Sequence, residues 1–139
     1  MSSQRVLVVD DEALNLMLIE NFLEDENLIL ETYGDPLEAW QRLQSKDSDF
    51  SLVILDRMMP GLDGLELLQR IKREARFADV PVIMQTAASA PEQVREGLEA
   101  GAYYYLTKPY EPEALISIVR AALRDQSVRS QLSNQATQL

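Results

Sequence analysis

One stretch constrains the fold of this chain more than any other: Ser51-Leu52-Val53-Ile54-Leu55-Asp56-Arg57-Met58-Met59-Pro60-Gly61. Four apolar residues, two of them β-branched (Val53 and Ile54), run straight into a carboxylate, and a proline and a glycine then end any regular structure. An unbroken apolar run of this length reads as a strand buried on both faces, as in a parallel sheet with helices on either side. Asp56 then falls at the strand's carboxyl end, where open α/β sheets place their ligands. Taken alone, Asp56 fits equally as the first residue of a turn.

Other segments repeat the pattern. Arg5-Val6-Leu7-Val8-Val9 is a second apolar run, and it ends in Asp10-Asp11-Glu12. Residues 13–24 carry Leu14, Met17, Leu18 and Phe22 near helical spacing, so a helix follows. Residues 28–33 alternate Leu28, Leu30 and Thr32 against Ile29, Glu31 and Tyr33, which suits an edge strand with one wetter face. Asp35-Pro36-Leu37-Glu38 opens a helix to about Lys46: Asp35 can be the N-cap, Pro36 takes the first helical position and Glu38 completes a capping box. Beyond the opening stretch, residues 64–75 set Leu65, Leu67, Leu68 and Ile71 against Glu66, Arg70, Lys72 and Arg73, a third helix.

Val80-Pro81-Val82-Ile83-Met84 is the next run, with Pro81 near its start, and it ends in Gln85-Thr86-Ala87-Ala88. Ser89-Ala90-Pro91-Glu92 is a further capping box, opening a helix that stops near Gly101. Residues 102–106 form a short aromatic strand ending in Thr107-Lys108-Pro109, and Glu111-Pro112-Glu113 opens a last helix striped with Leu115, Ile118, Val119, Ala122 and Leu123. Strand and helix thus alternate through the chain, which predicts a parallel sheet with helices on both faces joined by right-handed crossovers.

Composition narrows the function. A chain of 139 residues with 46% apolar content fills one domain with one core. The absence of cysteine excludes disulfides and thiolate chemistry, and the absence of histidine excludes imidazole bases, His-metal sites and a phosphohistidine on this chain. No apolar run approaches the ~18 residues of a membrane span, and residues 1–4 are too short for a signal peptide, so a soluble cytoplasmic protein without a membrane partner is expected. A net charge of −10 argues against direct nucleic-acid binding. After Asp125 the composition shifts: residues 126–139 hold one charge, Arg129, among Ser, Gln, Asn and Thr. Residues 1–125 are therefore expected to form the domain, and residues 126–139 a helical extension, a frayed tail or a linker toward an output domain.

In a parallel sheet all carboxyl ends open on one rim. This sequence puts there Asp10, Asp11 and Glu12 after the first strand, Asp56 after the third, Thr86 after the fourth and Lys108 after the fifth. Two carboxylates ~4 Å apart repel by roughly 4 kcal/mol at an effective dielectric near 20, so three in one crevice force a pKa upward unless a cation intervenes. Lys108 alone is too little charge. A hard divalent ion held by one or two carboxylates plus water is the usual solution, and Mg²⁺ commonly pairs this way with phosphate. A neutralised carboxylate is a workable nucleophile toward phosphorus, with Thr86 and Lys108 placed to bind the new phosphoryl oxygens.

These residues resemble a known family. Val8-Val9-Asp10-Asp11, Leu55-Asp56-Arg57-Met58-Met59-Pro60-Gly61-Leu62-Asp63-Gly64, Thr86-Ala87 and Tyr105-Leu106-Thr107-Lys108-Pro109 together are similar to the receiver domain of two-component response regulators, over roughly residues 5–124. The resemblance implies a flavodoxin-like fold, a doubly wound five-stranded parallel sheet in the order 2-1-3-4-5. It implies that Asp56 accepts a phosphoryl group from a phosphohistidine on a sensor histidine kinase or a histidine phosphotransfer protein, so that the chain is a regulatory phosphoacceptor and not an enzyme. Asp11, Asp56 and the Met58 carbonyl would ligate Mg²⁺, with Asp10 acting through water. Lys108 would pair with the phosphoryl oxygens and precede a cis bond to Pro109. Thr86 and Tyr105 would act as the switch, reshaping the face made by the fourth helix, the fifth strand and the last helix, through which a phosphorylation-dependent homodimer is expected.

Four positions depart from the family's pattern. Tyr103 and Tyr104 stand where relatives are commonly acidic; they suit a pleated strand and equally an aromatic contact patch. Arg57 and Gln85 replace positions that are usually apolar. Arg57 is expected to lay its stem on the rim and keep its charge wet, and Gln85 needs hydrogen-bond partners if buried; neither is expected to touch the phosphorylation chemistry. Alternatives from other classes are a receiver-fold interaction module working without phosphorylation, an aspartate-nucleophile phosphohydrolase, which would carry Asp-x-Asp where this chain has adjacent Asp10-Asp11, and a flavin-binding protein, disfavoured by the carboxylates on the rim.

Overall fold

The computed structural model describes residues 4–87 and 91–138. Its elements follow the order β1 (Gln4–Val9), α1 (Ala13–Phe22), β2 (Leu28–Tyr33), α2 (Pro36–Gln44), β3 (Leu52–Asp56), α3 (Gly64–Arg73), a 3-10 turn at Ala75–Phe77, β4 (Val82–Thr86), α4 (Pro91–Glu99), β5 (Tyr104–Thr107) and α5 (Pro112–Gln138). The five strands are parallel and lie in the order β2-β1-β3-β4-β5. This is the doubly wound, flavodoxin-like arrangement expected.

Alternation along the strands divides the core in two. Leu7, Val9, Val53, Leu55, Val82 and Met84 pack against α2 and α3 through Ala39, Leu43, Leu67, Leu68 and Ile71. Val6, Val8, Leu52, Ile54 and Ile83 face the other way, onto Ile19 of α1 and Leu115, Val119, Ala122 and Leu123 of α5. All are nearly or wholly inaccessible to solvent, and each Val, Leu, Ile or Met among them contributes about 1.5–3 kcal/mol relative to exposure. β2 is an edge strand with Ile29 exposed, and on the same face the half-buried Glu31 is held by Arg5 at 3.0 Å and Arg42 at 3.0 Å.

Several ends differ from the sequence-based expectation. α1 stops at Phe22 and α2 at Gln44, each two residues early. Asp35 does cap α2, but its Oδ1 accepts from the Leu37 N–H at 3.0 Å, one position short of the capping-box bond. Asp63, which carried no cap in the sequence reading, accepts from the Glu66 N–H at 3.0 Å and starts α3. β4 continues through Gln85 and Thr86, because both residues pair into the ladder, Asp56 opposite Gln85 and Thr86 opposite Thr107. β5 spans Tyr104–Thr107, starting later than the aromatic run. Ala88 and the capping box begun by Ser89 and Ala90 lie outside the described residues. α5 runs on as one helix to Gln138.

Candidate metal centre

Parallel register brings the strand ends level, so the side chains beyond the last apolar residues share one crevice. Asp10 follows β1, and its N–H is tied to the Tyr33 carbonyl of β2 at 3.0 Å. Asp56 closes β3; the next N–H, that of Arg57, binds the Gln85 carbonyl at 2.8 Å and holds the two strand ends together. Lys108 is pinned by its own N–H to the Thr86 carbonyl at 2.7 Å, and its bond to Pro109 is cis. Gly64 backs directly on this corner: a Cβ there would come within 2.1 Å of the Asp56 carbonyl oxygen.

One carboxylate oxygen from each of Asp10, Asp11 and Asp56 lies within 4.8 Å of the other two. Asp10 and Asp56 are buried and Asp11 is exposed. Lys108 Nζ reaches two of the cluster's three members, lying 3.2 Å from Asp10 Oδ2 and 3.6 Å from Asp56 Oδ1, and sits 3.6 Å from Glu12 Oε1. Burial, then the charge of Asp10, pushes the Asp56 carboxyl up to about 6, against the pull of Lys108 and the Met58 N–H and with a further push from Asp11. Burial works against the charge on Lys108, but Asp10, Asp56 and Glu12 hold its pKa above the usual range. The crevice therefore has an excess of negative charge that its one ammonium does not balance.

The donor set fits a hard divalent cation, since it is entirely oxygen and gathered around one point. Asp10 is the least free of the three. Its Oδ1 accepts the Glu12 N–H at 2.9 Å, and its Oδ2 accepts from Asn15 Nδ2, Gln85 Nε2 at 3.1 Å and Lys108 Nζ at 3.2 Å. Three donors crowd the two lone-pair sites of Oδ2, and only Oδ1 keeps a site for a further partner. Asp11 and Asp56 have more to offer a cation directly.

Across the sheet, Thr86 ends β4 buried. Tyr105 is buried beneath α4, its ring so close that a Cβ on Gly97 would meet it at 2.8 Å. The Tyr105 hydroxyl lies near the Arg57 guanidinium and Thr86 without completing a well-formed hydrogen bond; burial pushes its pKa up and Arg57 opposes the shift. Arg57 corrects the sequence expectation. Its side chain is turned under α4 rather than out to water, 8% exposed, with the Gln93 carbonyl at 3.5 Å and Glu96 at 3.6 Å. Strand alternation sends residue 57 to the face that α4 covers.

Gln85 also corrects the expectation, because it does touch the crevice. It is fully buried and its side chain bridges the Tyr110 hydroxyl, at 2.8 Å from Oε1, to Asp10. Burial, then Asp10 and Asp56, pushes the Tyr110 phenol up to about 12, which keeps it a donor. Tyr110 and Asn15 were not picked out from sequence; the available signal for Tyr110 was its place two residues after Lys108 on the same rim. Tyr103 bonds Asp125 through its hydroxyl, while Tyr104 is 45% exposed.

Comparison with known proteins agrees with this geometry. Residues 6–120 match the model of the response regulator receiver domain. The response regulator RppA of Synechocystis is 38% identical over 120 residues, covering 86% of this chain and 50% of that protein. The phosphate regulon transcriptional regulatory protein PhoB of Klebsiella pneumoniae is 37% identical, over 88% of this chain and 52% of its own length. The chain thus spans about half the length of the curated relatives it matches. Among solved structures, a CheY-like response regulator receiver domain protein from Methanospirillum hungatei superposes with a TM-score of 0.83 at 27% identity, over 92% of this chain and 99% of the other.

Proposed function

The chain belongs to the response regulator receiver domain family, and on that premise we propose that it is a phosphoacceptor switch whose modified residue is Asp56. The observation that carries this reading is the buried Asp56 carboxylate at the end of β3, with its pKa pushed up to about 6, beside Asp10, Asp11 and Lys108. In the proposed reaction an Asp56 oxygen attacks the phosphorus of a phosphohistidine on a histidine kinase or phosphotransfer protein. The O–P bond forms as the P–N bond breaks, and the electron pair returns to the imidazole nitrogen. Mg²⁺, held by Asp11, Asp56 and the Met58 carbonyl with Asp10 acting through water, would neutralise charge on the transferring oxygens. Lys108 supports the same charge with its ammonium, and the Thr86 hydroxyl donates to a phosphoryl oxygen. The chain assists its own phosphorylation and dephosphorylation and turns over no external substrate.

Two exposed apolar groups support the partners. Leu14, Met17 and Leu18 on α1 are 68%, 64% and 41% exposed, and Met58 beside Asp56 is 65% exposed, which suits a helical protein carrying the donor histidine. Leu98 of α4 and Tyr104 of β5, 46% and 45% exposed, suit a homodimer through the α4-β5-α5 face that strengthens on phosphorylation. Residues 126–138, continuous with α5, are read as a helical extension of a receiver unit formed by residues 1–125. No helix among the described residues is long and apolar enough to cross a membrane, in keeping with a cytoplasmic signalling role.

Acetyl phosphate with Mg²⁺ is expected to add the mass of one phosphoryl group to the wild type and none to Asp56→Asn. Equal labelling of both would overturn the assignment. Sedimentation with and without beryllofluoride tests the dimer, and an unchanged coefficient would remove it.

A further inference from the structure

We propose that Gln85 and Tyr110 form a positioning pair that holds Asp10 in the orientation the metal-binding crevice uses; this rests on the phosphoacceptor reading and adds two residues to it. Gln85 occupies a place on β4 where the surroundings call for an aliphatic residue. Ile83 two residues earlier and Leu106 across the ladder are buried aliphatics on the same face. A fully buried primary amide there is costly unless each of its polar atoms is used. Both are.

The direction of the amide is determined by its neighbours. A carboxylate only accepts, so the group that Gln85 presents to Asp10 Oδ2 at 3.1 Å is the NH₂. Oε1 then faces Tyr110, whose hydroxyl donates to it at 2.8 Å. Tyr110 in turn meets the ring of Phe22 edge-on, with centroids 6.5 Å apart. Contacts therefore run unbroken from α1 through the connection after β5 to the carboxylate at the end of β1.

Lys108 explains why the site gains from such a donor. Its ammonium is shared between Asp10 and Asp56, and a phosphoryl group on Asp56 would draw it away from Asp10. Gln85 is neutral, buried and satisfied at its other end, so it stays on Asp10 whichever way Lys108 turns. Partners of this kind, which orient a metal site without binding the ion, typically carry about 10–100-fold in metal affinity.

Calorimetric titration with Mg²⁺, paired with urea unfolding of the same full-length samples, tests the pair. Gln85→Met, which keeps the length of the side chain, is expected to raise the Mg²⁺ dissociation constant about tenfold. Tyr110→Phe leaves every carbon in place and only frees the amide to flip, so a smaller, severalfold rise is expected. In the double variant both polar partners are gone, and the unfolding midpoint is expected to return toward wild type while Mg²⁺ affinity stays low. Affinity that recovers along with stability, or a Gln85→Met variant that binds Mg²⁺ as wild type does, overturns the inference. If Gln85→Met does not fold, an unchanged constant in Tyr110→Phe overturns it instead. Wild-type protein that binds no Mg²⁺ overturns the phosphoacceptor reading as well, which separates the two failures.

Discussion

The two faces of the sheet are finished differently at the rim. On the α1 and α5 side, Gln85, Tyr110, Asp10 and Lys108 form a closed network with bonds of 2.8–3.2 Å. On the α4 side Arg57 is nearly as buried, yet its contacts are long, 3.5 Å to the Gln93 carbonyl and 3.6 Å to Glu96. Among the described residues, the buried side-chain atoms without a hydrogen-bond partner are Gln93 Oε1 and the Tyr105 hydroxyl, and both belong to this side. A fully satisfied polar network fixes one arrangement, whereas a partly satisfied one is held mainly by packing and rearranges at small cost. On the proposed reading, the face that would hold the phosphoryl group is the stiffer of the two and the face that would report it is the looser. A switch needs both, because a charge added to the stiff side can then bias the arrangement of the other.

Gly64→Ala attacks the backbone at the end of β3, from which both sides diverge, and carries the largest expected effect. The added Cβ would sit 2.1 Å from the Asp56 carbonyl oxygen and 2.9 Å from the Arg57 Cα, neither of which belongs to a flexible side chain. A loss of about 3 kcal/mol or more is expected in urea unfolding, at or beyond the top of the usual overpacking range. A variant within about 1 kcal/mol of wild type would mean that the corner of β3 yields easily, and the two sides would lack the rigid strand end that the comparison assumes between them.

The charge on Asp56 gives the next effect. Its folded pKa of about 6 lies above the ordinary 3.8, so the folded protein binds the proton more tightly than the unfolded chain does. Without metal, stability from this group is present below the unfolded pKa and is lost as pH rises through about 6, by on the order of 2–3 kcal/mol. Mg²⁺ should reverse the loss, since it favours the ionised carboxylate. In EDTA the stability of wild type minus that of Asp56→Asn should therefore fall between pH 4 and 7.5, and Mg²⁺ should remove most of the fall. A difference flat across that window would contradict the burial-driven shift.

The stiff and loose sides were unequally legible in the sequence. The strands could be read because runs such as Leu52-Val53-Ile54-Leu55 carry their burial in local composition, and the meeting of Asp10, Asp11 and Asp56 followed from parallel ends sharing a rim. The need of Gln85 for partners was readable too. Tyr110 as its partner was not, because it lies 25 residues away and nothing local links the two. The length of β4 mattered as well: ladder pairing carries the strand two residues past its apolar run, and only then does alternation send Gln85 toward Asp10 and Thr86 toward α4. Arg57 was misjudged as solvated for a related reason. Whether a residue just past a strand is wet depends on the helix laid across it, and the placement of α4 is a tertiary property.

Gly97→Ala probes the loose side by packing alone. Its Cβ would meet the Tyr105 ring at 2.8 Å, a contact with a side chain that can turn outward. The expected cost is about 1–2 kcal/mol, below that at Gly64 because the ring can move where a backbone cannot. Tyrosine fluorescence quenching by acrylamide should rise as Tyr105 leaves its pocket. Unchanged quenching with a loss of stability like that of Gly64→Ala would show the α4 side to be as rigid as the other.

Arg57→Met should have the smallest effect on stability. The guanidinium loses hydration on burial, and its counter-ion Glu96 is 52% exposed on the side-chain scale and correspondingly screened. Attraction across such a pair offsets little of the desolvation, so an apolar side chain of similar length should change stability by no more than about 1 kcal/mol in either direction. The effect should appear in Tyr105 instead. Arg57 is the cation that opposes the upward shift of its phenol, so the variant should titrate Tyr105 at higher pH, as followed by NMR of ¹³C-labelled tyrosine. Gln85→Met is the matched control, with a similar side chain on the opposite face, and it should cost more because it strands the Tyr110 hydroxyl and removes a donor from Asp10. If Arg57→Met proved the more damaging of the two, the loose contacts under α4 would be holding the fold together and the division between a binding side and a reporting side would fail.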